Sequence, residues 1–237
     1  MISLKDFDAL TFDVYGTILN WEPEIAQFLA DWSAAAGSEI DQDELLSAYD
    51  RVRQPLQKHR PTWLYPEVLS RTLQQLGNEF SLPTPSDKLE EFAGIAATHK
   101  PFPDSKDALN EFHTMGLKLA ALSNIDDASF EKVTAAADIN FDVVVTAQRV
   151  GAYKPDHAHF WAALSDLQAL GIPKERVLHV AQSRRAGITV ANAIDLKCVW
   201  VNRPGHIFGR TGHGAEASIP DFEVDSLASL VGLLKPN

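Results

Sequence analysis

The sequence predicts an α/β fold, a doubly wound parallel sheet with a helical segment inserted after its first strand. After residue 100, short apolar runs rich in β-favouring residues alternate with helical patterns. Residues 19–99 show helical spacing without a clear strand, and Lys100-Pro-Phe-Pro103 marks where the pattern changes. We therefore expect residues 1–18 and 100–237 to form an α/β core domain, and residues 19–99 to form a helical cap domain.

Composition limits the class of protein. The chain has 237 residues, 45% of them hydrophobic, and a net charge of −11. This balance argues against nucleic acid or an anionic membrane as the main partner. The single cysteine, Cys198, excludes internal disulfides and thiolate metal clusters. No apolar run approaches ~20 residues and no signal-peptide core is visible, so we expect a cytoplasmic protein without a membrane span.

The first predicted strand begins at Ala9 and ends at Asp13, where Gly16 and Thr17 require a turn. Apolar residues at helical spacing then predict about four helices. They are a helix that carries Ile25 to Trp32, a helix that carries Leu45 to Val52, a helix from about Leu64 to Leu76 that Gly77 ends, and a helix from Lys88 to about Thr98.

Strands and helices alternate beyond the boundary. We expect strands at residues 118–122, 141–146, 176–181 and 197–201, and helices near 105–115, 156–170, 186–193 and 226–234. Residues 202–220 are rich in Gly, His and Arg without periodicity, which indicates a loop.

Polar residues follow the ends of four predicted strands. Asp13 follows the first, Ser123 and Asn124 the second, Lys154 the third, and Gln182 with Ser183 the fourth. The carboxyl ends of parallel strands meet at one edge of the sheet, where ligands bind. Asp13 alone could equally cap a turn. A carboxylate, a hydroxyl, an amide and a lysine at one edge instead indicate a site for covalent catalysis.

Three of these segments carry a family resemblance. Phe12-Asp-Val-Tyr-Gly-Thr-Ile-Leu19, Leu122-Ser-Asn-Ile-Asp126 and Gly151-Ala-Tyr-Lys-Pro-Asp156 occur in this order, with Pro101-Phe-Pro-Asp104 at the boundary. Together they resemble the haloacid dehalogenase superfamily of hydrolases, which implies a Rossmann-like core with a cap. Tyr15 stands where phosphatases of the superfamily carry a second Asp. The first segment is therefore most similar to type II 2-haloacid dehalogenases, which need no metal.

The resemblance implies roles for these residues. Asp13 would displace the substituent at C2 of a small carboxylic acid and form an ester that water hydrolyses. Lys154 and Ser123 would assist in catalysis, and Tyr15, Thr17, Asn124, Gln182 and Ser183 would contact the substrate. The resemblance implies neither metal nor cofactor. The partner would be a small carboxylate, and a homodimer stays open.

An arginine from the first cap helices holds the leaving halide in similar proteins. Arg51, Arg53 and Arg60 are candidates, and their spacing does not choose among them. We take Arg51 as the substrate-binding residue.

Two positions depart from the family pattern. Gly187 replaces an acid that positions or activates the hydrolytic water, and Phe160 stands where a Tyr is typical. His179, Asp126 and Asp127 are candidate replacements for that acid.

Three functions follow from the sequence. The first is a metal-independent hydrolase of 2-substituted acids, with 2-haloacids as the leading substrates and ring opening of azetidine-2-carboxylate as a variant. The second is a Mg²⁺ phosphatase, against which Tyr15 and Gly187 argue. The third is a binding protein that retained the fold but lost catalysis.

Overall fold

The computed structural model describes residues 6–205 and 217–235. Its centre is a six-stranded sheet in the order β5-β4-β1-β6-β7-β8, in which every neighbouring pair is parallel. The strands are β1 (Ala9–Asp13), β4 (Lys118–Ser123), β5 (Val143–Thr146), β6 (Val177–Ala181), β7 (Lys197–Val201) and β8 (Phe222–Val224). The predicted doubly wound α/β architecture is confirmed.

Ten α-helices lie in the described part of the chain. Four of them precede the boundary at residue 100, namely α1 (Glu22–Ala35), α2 (Gln42–Leu56), α3 (Tyr65–Phe80) and α4 (Ser86–Gly94). The others are α5 (Ser105–Thr114), α6 (Asp127–Ala137), α7 (Ala147–Val150), α8 (Ala158–Ala169), α9 (Thr189–Ala193) and α10 (Leu227–Leu234). None of the described helices is long and apolar enough to cross a membrane.

Strand β1 occupies the middle of the sheet, and all five of its residues are buried. Its side chains alternate between the two faces. Leu10 and Phe12 join one hydrophobic cluster, whereas Ala9 joins the cluster on the other side. The chain runs from β1 to β4 and β5 and then returns to β6 on the opposite side of β1. Asp13 therefore ends its strand at the point where the direction of winding reverses, which is where open α/β sheets bind ligands.

A short antiparallel pair joins the two ends of the helical segment. β2 (Leu19–Asn20) pairs with β3 (Lys100–Pro101), so that Leu19 faces Pro101 and Asn20 faces Lys100. Two-residue strands leave no periodic signal in the sequence, which is why none was predicted there. The division of the chain into two domains at residues 18/19 and 99/100 stays a prediction. β2 falls on the cap side of this division and β3 on the core side.

The structure differs from the sequence predictions in three local features. Helix α3 continues through Gly77 to Phe80, and the chain turns only at Ser81, which has φ 57°. Strand β8 was not expected. The helix predicted from residue 186 begins instead with a π-helical turn, Arg184–Ile188, before α9. Residues 206–216 of the predicted glycine- and histidine-rich loop lie outside the described residues.

Candidate active site

A cavity of about 470 Å³ lies between the carboxyl edge of the sheet and the helical segment. The strand ends contribute Asp13, Asn124, Gln182 and Ser183 to its wall, and the segment between α7 and α8 contributes Lys154. The opposite wall comes largely from α2 and the residues that follow it, with Tyr65 of α3. The polar residues that the sequence placed at four strand ends thus meet around one cavity, with the exception of Ser123.

Asp13 and Lys154 form a buried ion pair in this cavity. The Lys154 Nζ lies 2.6 Å from Asp13 Oδ1 and also donates to the Leu122 carbonyl oxygen at 2.5 Å. The Asp13 side chain is 9% exposed and that of Lys154 1%. Burying either charge alone would cost several kcal/mol, roughly, because water no longer solvates it. The pair therefore keeps an anionic oxygen of Asp13 beside the cavity.

The turn after β1 brings Thr17 back to Asp13. Gly16 has φ 94°, and a β-carbon there would lie 2.9 Å from Gln182 Oε1, so a glycine is required. Thr17 Oγ1 donates to Asp13 Oδ2 at 3.4 Å and accepts from the Gln182 backbone N–H at 2.8 Å. The turn thereby ties the end of β1 to the end of β6.

Asn124 positions the backbone of Lys154. Its Oδ1 accepts from the Lys154 N–H at 2.7 Å, and its Nδ2 donates to the Lys154 carbonyl oxygen at 3.1 Å. The neighbouring Ser123 is buried, and its Oγ has no hydrogen-bond partner among the described residues. Ser123 does not line the cavity, and its catalytic role stays a prediction.

Tyr15 lines the cavity but commits its hydroxyl to the protein. The hydroxyl donates to the Ala96 carbonyl oxygen at 2.7 Å, and burial raises the pKa of Tyr15 well above its usual value. Its ring meets that of His99 edge-on, with 5.5 Å between the ring centres. His99 is another lining residue, and burial lowers its pKa to about 4, so the imidazole is neutral near pH 7.

The three candidate arginines differ in position. Arg60 is exposed and lies outside the cavity wall. Arg51 lines the cavity, but its guanidinium is 60% exposed and pairs with Glu79 at 2.6 Å. Arg53 is only 15% exposed and pairs with Asp50 at 2.8 Å. The assignment of Arg51 to the substrate stays a prediction, and Arg53 is the arginine most enclosed by the cavity wall.

Arg53 is held in an aromatic and anionic environment. Its Nη1 donates to the Tyr65 hydroxyl at 3.2 Å, and its guanidinium lies 5.1 Å from the centre of the Tyr49 ring. Burial opposes its charge, but Tyr49, Tyr65 and Asp50 together hold the pKa of Arg53 well above its usual value. Its Nε is buried and has no hydrogen-bond partner among the described residues.

The chain forms the π-helical turn Arg184–Ile188 shortly after β6 ends. Ser183 Oγ accepts from the Ala186 N–H at 3.1 Å and so caps this turn. Gly187, where the family acid is missing, faces β6 and not the cavity. A β-carbon on Gly187 would overlap the side chain of Ala181 and lie 3.1 Å from His179 Nε2. The backbone of the turn therefore leaves no room for any side chain at position 187.

None of the three predicted replacements for the missing acid lines the cavity. Asp126 caps α6 by accepting from the Ser129 N–H at 3.0 Å, and Asp127 accepts from the Thr146 hydroxyl. His179 is fully buried, and burial together with the charge of Lys154 lowers its pKa to about 3. Phe160 packs on His179, with the ring centres 4.7 Å apart.

Sequence reasoning missed four acidic or basic residues of the wall, namely Asp50, Lys58, His99 and Arg185. Asp50 and Arg185 occur in charged stretches typical of a solvated surface, and His99 lies next to the boundary. No sequence signal separated them from surface residues. Within the described residues, no group of three or more His, Cys, Asp or Glu side chains is arranged to hold a metal ion.

Comparison with known proteins gives consistent results. A family model for haloacid dehalogenase-like hydrolases matches residues 7–194. An (S)-2-haloacid dehalogenase of Pseudomonas sp. (strain YL) is 32% identical over 171 residues, which are 71% of this chain and 68% of that protein. Haloacetate dehalogenase H-2 of Moraxella sp. (strain B) is 26% identical, over 98% of this chain and 99% of that protein.

Solved structures show the same fold. The L-2-haloacid dehalogenase from Xanthobacter autotrophicus superposes with a TM-score of 0.76 at 19% identity, and the match covers 96% of this chain and 98% of that chain.

Proposed function

The chain belongs to the haloacid dehalogenase-like hydrolase family, and we propose that it hydrolyses the carbon–halogen bond of small 2-haloacids through an ester on Asp13, without a metal ion. The buried Asp13–Lys154 pair at the wall of the cavity carries this proposal. It supplies an ionised carboxylate in a partly desolvated site, which suits attack on a saturated carbon.

The reaction has two balanced steps. An Asp13 carboxylate oxygen attacks C2, forms a C–O bond and displaces halide with the C–X electron pair. Water then attacks the Asp13 acyl carbon, releases the 2-hydroxy acid and one proton, and regenerates the carboxylate. Arg53 lies in the opposite wall, where its guanidinium would stabilise the departing halide.

The chemistry of the wall favours metal-independent catalysis. Among the described residues, the carboxylates that line the cavity are those of Asp13 and Asp50. Asp13 accepts a hydrogen bond from Lys154. Both Asp50 oxygens also accept hydrogen bonds, one from Arg53 at 2.8 Å and the other from Gln54 at 2.7 Å. Mg²⁺ in phosphoryl-transfer sites needs free oxygen ligands of this kind. The phosphatase alternative also lacks an acid at Tyr15.

Hydrolysis of the ester requires a base. We assign this role to His99, a neutral imidazole of the cavity wall. Its Nδ1 lies 3.7 Å from Glu24 Oε2, and neither atom has a hydrogen-bond partner among the described residues. A shift of less than 1 Å would join them and leave Nε2 as the base, an arrangement in which a carboxylate orients the imidazole.

A second candidate function is a binding protein with impaired catalysis. The absence of any side chain at Gly187, together with its packing against Ala181, favours it. In such a protein, Asp13 would either form a long-lived ester or not react.

The test measures halide release and covalent mass on the same samples. We expect the protein to release halide from 2-chloropropionate, with unchanged rates in EDTA, and Asp13→Asn to release none. Azetidine-2-carboxylate belongs in the panel for the ring-opening variant. Strong inhibition by EDTA would overturn metal independence. A stable adduct on Asp13 without turnover would favour the impaired protein, and neither adduct nor turnover would reject the proposed hydrolase.

A further inference from the structure

Arg185 is a second guanidinium in the cavity wall, and the proposed reaction does not use it. It comes from the π-helical turn Arg184–Ile188 on the sheet side, whereas Arg53 comes from α2. The charge of Arg53 acts on Arg185, as does that of Asp50. The two arginines therefore share one electrostatic environment, although they belong to different parts of the fold.

The neighbouring arginine shows that the position of Arg185 is specific. Arg184 points away from the cavity, donates from Nε to Ser218 Oγ at 2.8 Å and from Nη2 to the Ser218 carbonyl oxygen at 2.6 Å, and lies over the Trp200 ring. Arg185, in contrast, makes no hydrogen bond or ion pair with any part of the chain that the structure describes. Arg184 therefore stabilises the turn, and Arg185 presents its donors to the cavity.

The charges of the wall do not balance. Once the Arg51–Glu79 pair is set aside, Arg53, Lys154 and Arg185 face two carboxylates, Asp13 and Asp50, and the solvent-exposed Lys58 adds a fourth positive charge. Burial and the charge of Arg53 lower the pKa of Arg185, and Asp50 opposes this shift. Like charges in a cavity of reduced dielectric constant repel each other, and an anion between them removes the repulsion. The excess is one enclosed positive charge, that of Arg185, and one exposed charge, that of Lys58, which together suit a ligand with two negative charges.

The size of the cavity allows a ligand larger than a three-carbon haloacid. At about 470 Å³, it falls in the range of roughly 300–1,000 Å³ that is typical of sites for drug-sized ligands. A three-carbon haloacid would leave much of this volume to water.

We propose that Arg185 is a specificity-determining residue that binds a second carboxylate, so that the site takes small 2-substituted dicarboxylates in preference to monocarboxylates. The planar guanidinium pairs with a carboxylate through two parallel hydrogen bonds. The substituent at C2 of the ligand rests on the proposed function, whereas the preference for ligands with two carboxylates does not.

Binding of unreactive acids tests the preference without turnover. Succinate and butyrate have four carbons each and differ by one carboxylate. By isothermal titration calorimetry, we expect the protein to bind succinate at least about 10-fold more tightly than butyrate. Arg185→Gln should remove this preference by weakening succinate alone, and Arg185→Lys should retain part of it. Lys132→Gln removes one exposed positive charge outside the cavity and serves as the matched control.

Equal affinity for succinate and butyrate, or equal weakening of both by Arg185→Gln, would overturn the proposal. Because Arg185 has no described partner, Arg185→Gln should keep the thermal stability of the parent protein. Halide release from 2-chlorosuccinate and 2-chlorobutyrate separates the two proposals. Equal halide release from the two acids rejects the role of Arg185 and leaves the proposed dehalogenation intact. A preference that depends on Arg185 without any halide release rejects the proposed dehalogenation alone.

Discussion

Gly187 lies so close to Ala181 that a β-carbon at position 187 would overlap the Ala181 methyl group. Restoring the family acid at this position is therefore not a simple gain of function. A carboxylate there would be forced against β6 and His179, and Gly187 itself does not line the cavity. The glycine is a packing requirement of the π-helical turn as well as a missing catalytic side chain.

Gly187→Ala should lower the free energy of unfolding by about 1–3 kcal/mol, because overpacking forces side chains and backbone to shift. Urea denaturation measures the change. Gly94→Ala is the control, since Gly94 has φ −83° and nothing within 4 Å of its β-carbon position. Adding Ala181→Gly should recover part of the loss. Equal stability of the Gly187→Ala and Gly94→Ala proteins would contradict the close packing.

Asn124→Ala should lower both activity and stability, because it removes the two hydrogen bonds that fix the backbone of Lys154. We expect a loss of about 1–3 kcal/mol in the free energy of unfolding, and a lower kcat with little change in KM. Asn110→Ala, at an exposed position of α5, is the control. If kcat is unchanged while stability falls, Asn124 stabilises the loop without positioning Lys154.

Arg53→Lys should reduce kcat/KM at least about 100-fold, because removing a preorganised donor to a developing anion commonly costs that much. Lysine also lacks the planar shape that fits between Tyr49, Tyr65 and Asp50. Arg51→Lys should have a much smaller effect, since Arg51 pairs with Glu79 at the surface. Steady-state halide release compares the two. The reverse order of effects would return the halide-binding role to Arg51.

His99→Gln should slow ester hydrolysis by about 10²–10⁴-fold, the usual contribution of a general base. Halide formation in the first turnover should keep its rate, so that a burst of halide precedes a slow phase. Intact-protein mass spectrometry should then show an adduct on Asp13. His157→Gln, which is exposed and outside the cavity, is the control. Unchanged turnover without an adduct would exclude His99 as the base.

The buried histidines should make the protein lose stability in mild acid. Burial, aided by the charge of Lys154, lowers the pKa of His159 and of His179 to about 3, below the ordinary value of 6.5. The unfolded chain therefore binds protons that the folded chain does not. Their contribution is complete above pH 6.5 and declines as the pH falls towards 3, by up to about 1.4 kcal/mol per pH unit for each histidine.

Urea denaturation between pH 7 and pH 5 measures this dependence. His159→Gln should reduce the slope by about one proton, and the exposed His157→Gln should leave it unchanged. A stability that is flat over this range would contradict the assignment of neutral, buried imidazoles.

The parallel arrangement of the strands and the meeting of Asp13 with Lys154 were predictable from the sequence, whereas the position of β8 was not. Apolar runs between helical patterns give parallel strands, and the carboxyl ends of such strands share one edge. The strand ends alone place Asp13 and Asn124 together, whereas Lys154 was assigned there with the help of the family resemblance, because α7 separates it from the end of β5.

The opposite wall of the cavity was not predictable in this way. Arg51 and Arg53 differ by about 200° around the axis of α2, and only tertiary packing decides which of them the cavity wall encloses. The π-helical turn that aims Arg185 depends on a change of hydrogen-bond register, for which the sequence offers no periodic signal. His99 directly precedes β3, and the strand that pairs with β3, β2, is distant in the sequence.

The antiparallel pair of β2 and β3 places the start and the end of the whole stretch α1–α4 next to each other in the chain's path. The chain leaves at Leu19–Asn20 and returns at the adjacent Lys100–Pro101. A stretch of different length or sequence, fitted between the same two strands, would leave the strand order and the Asp13–Lys154 pair in place. The part of the cavity wall that α2 and Tyr65 supply can thus vary as one contiguous stretch, while Asp13, Lys154 and Arg185 stay on the sheet side.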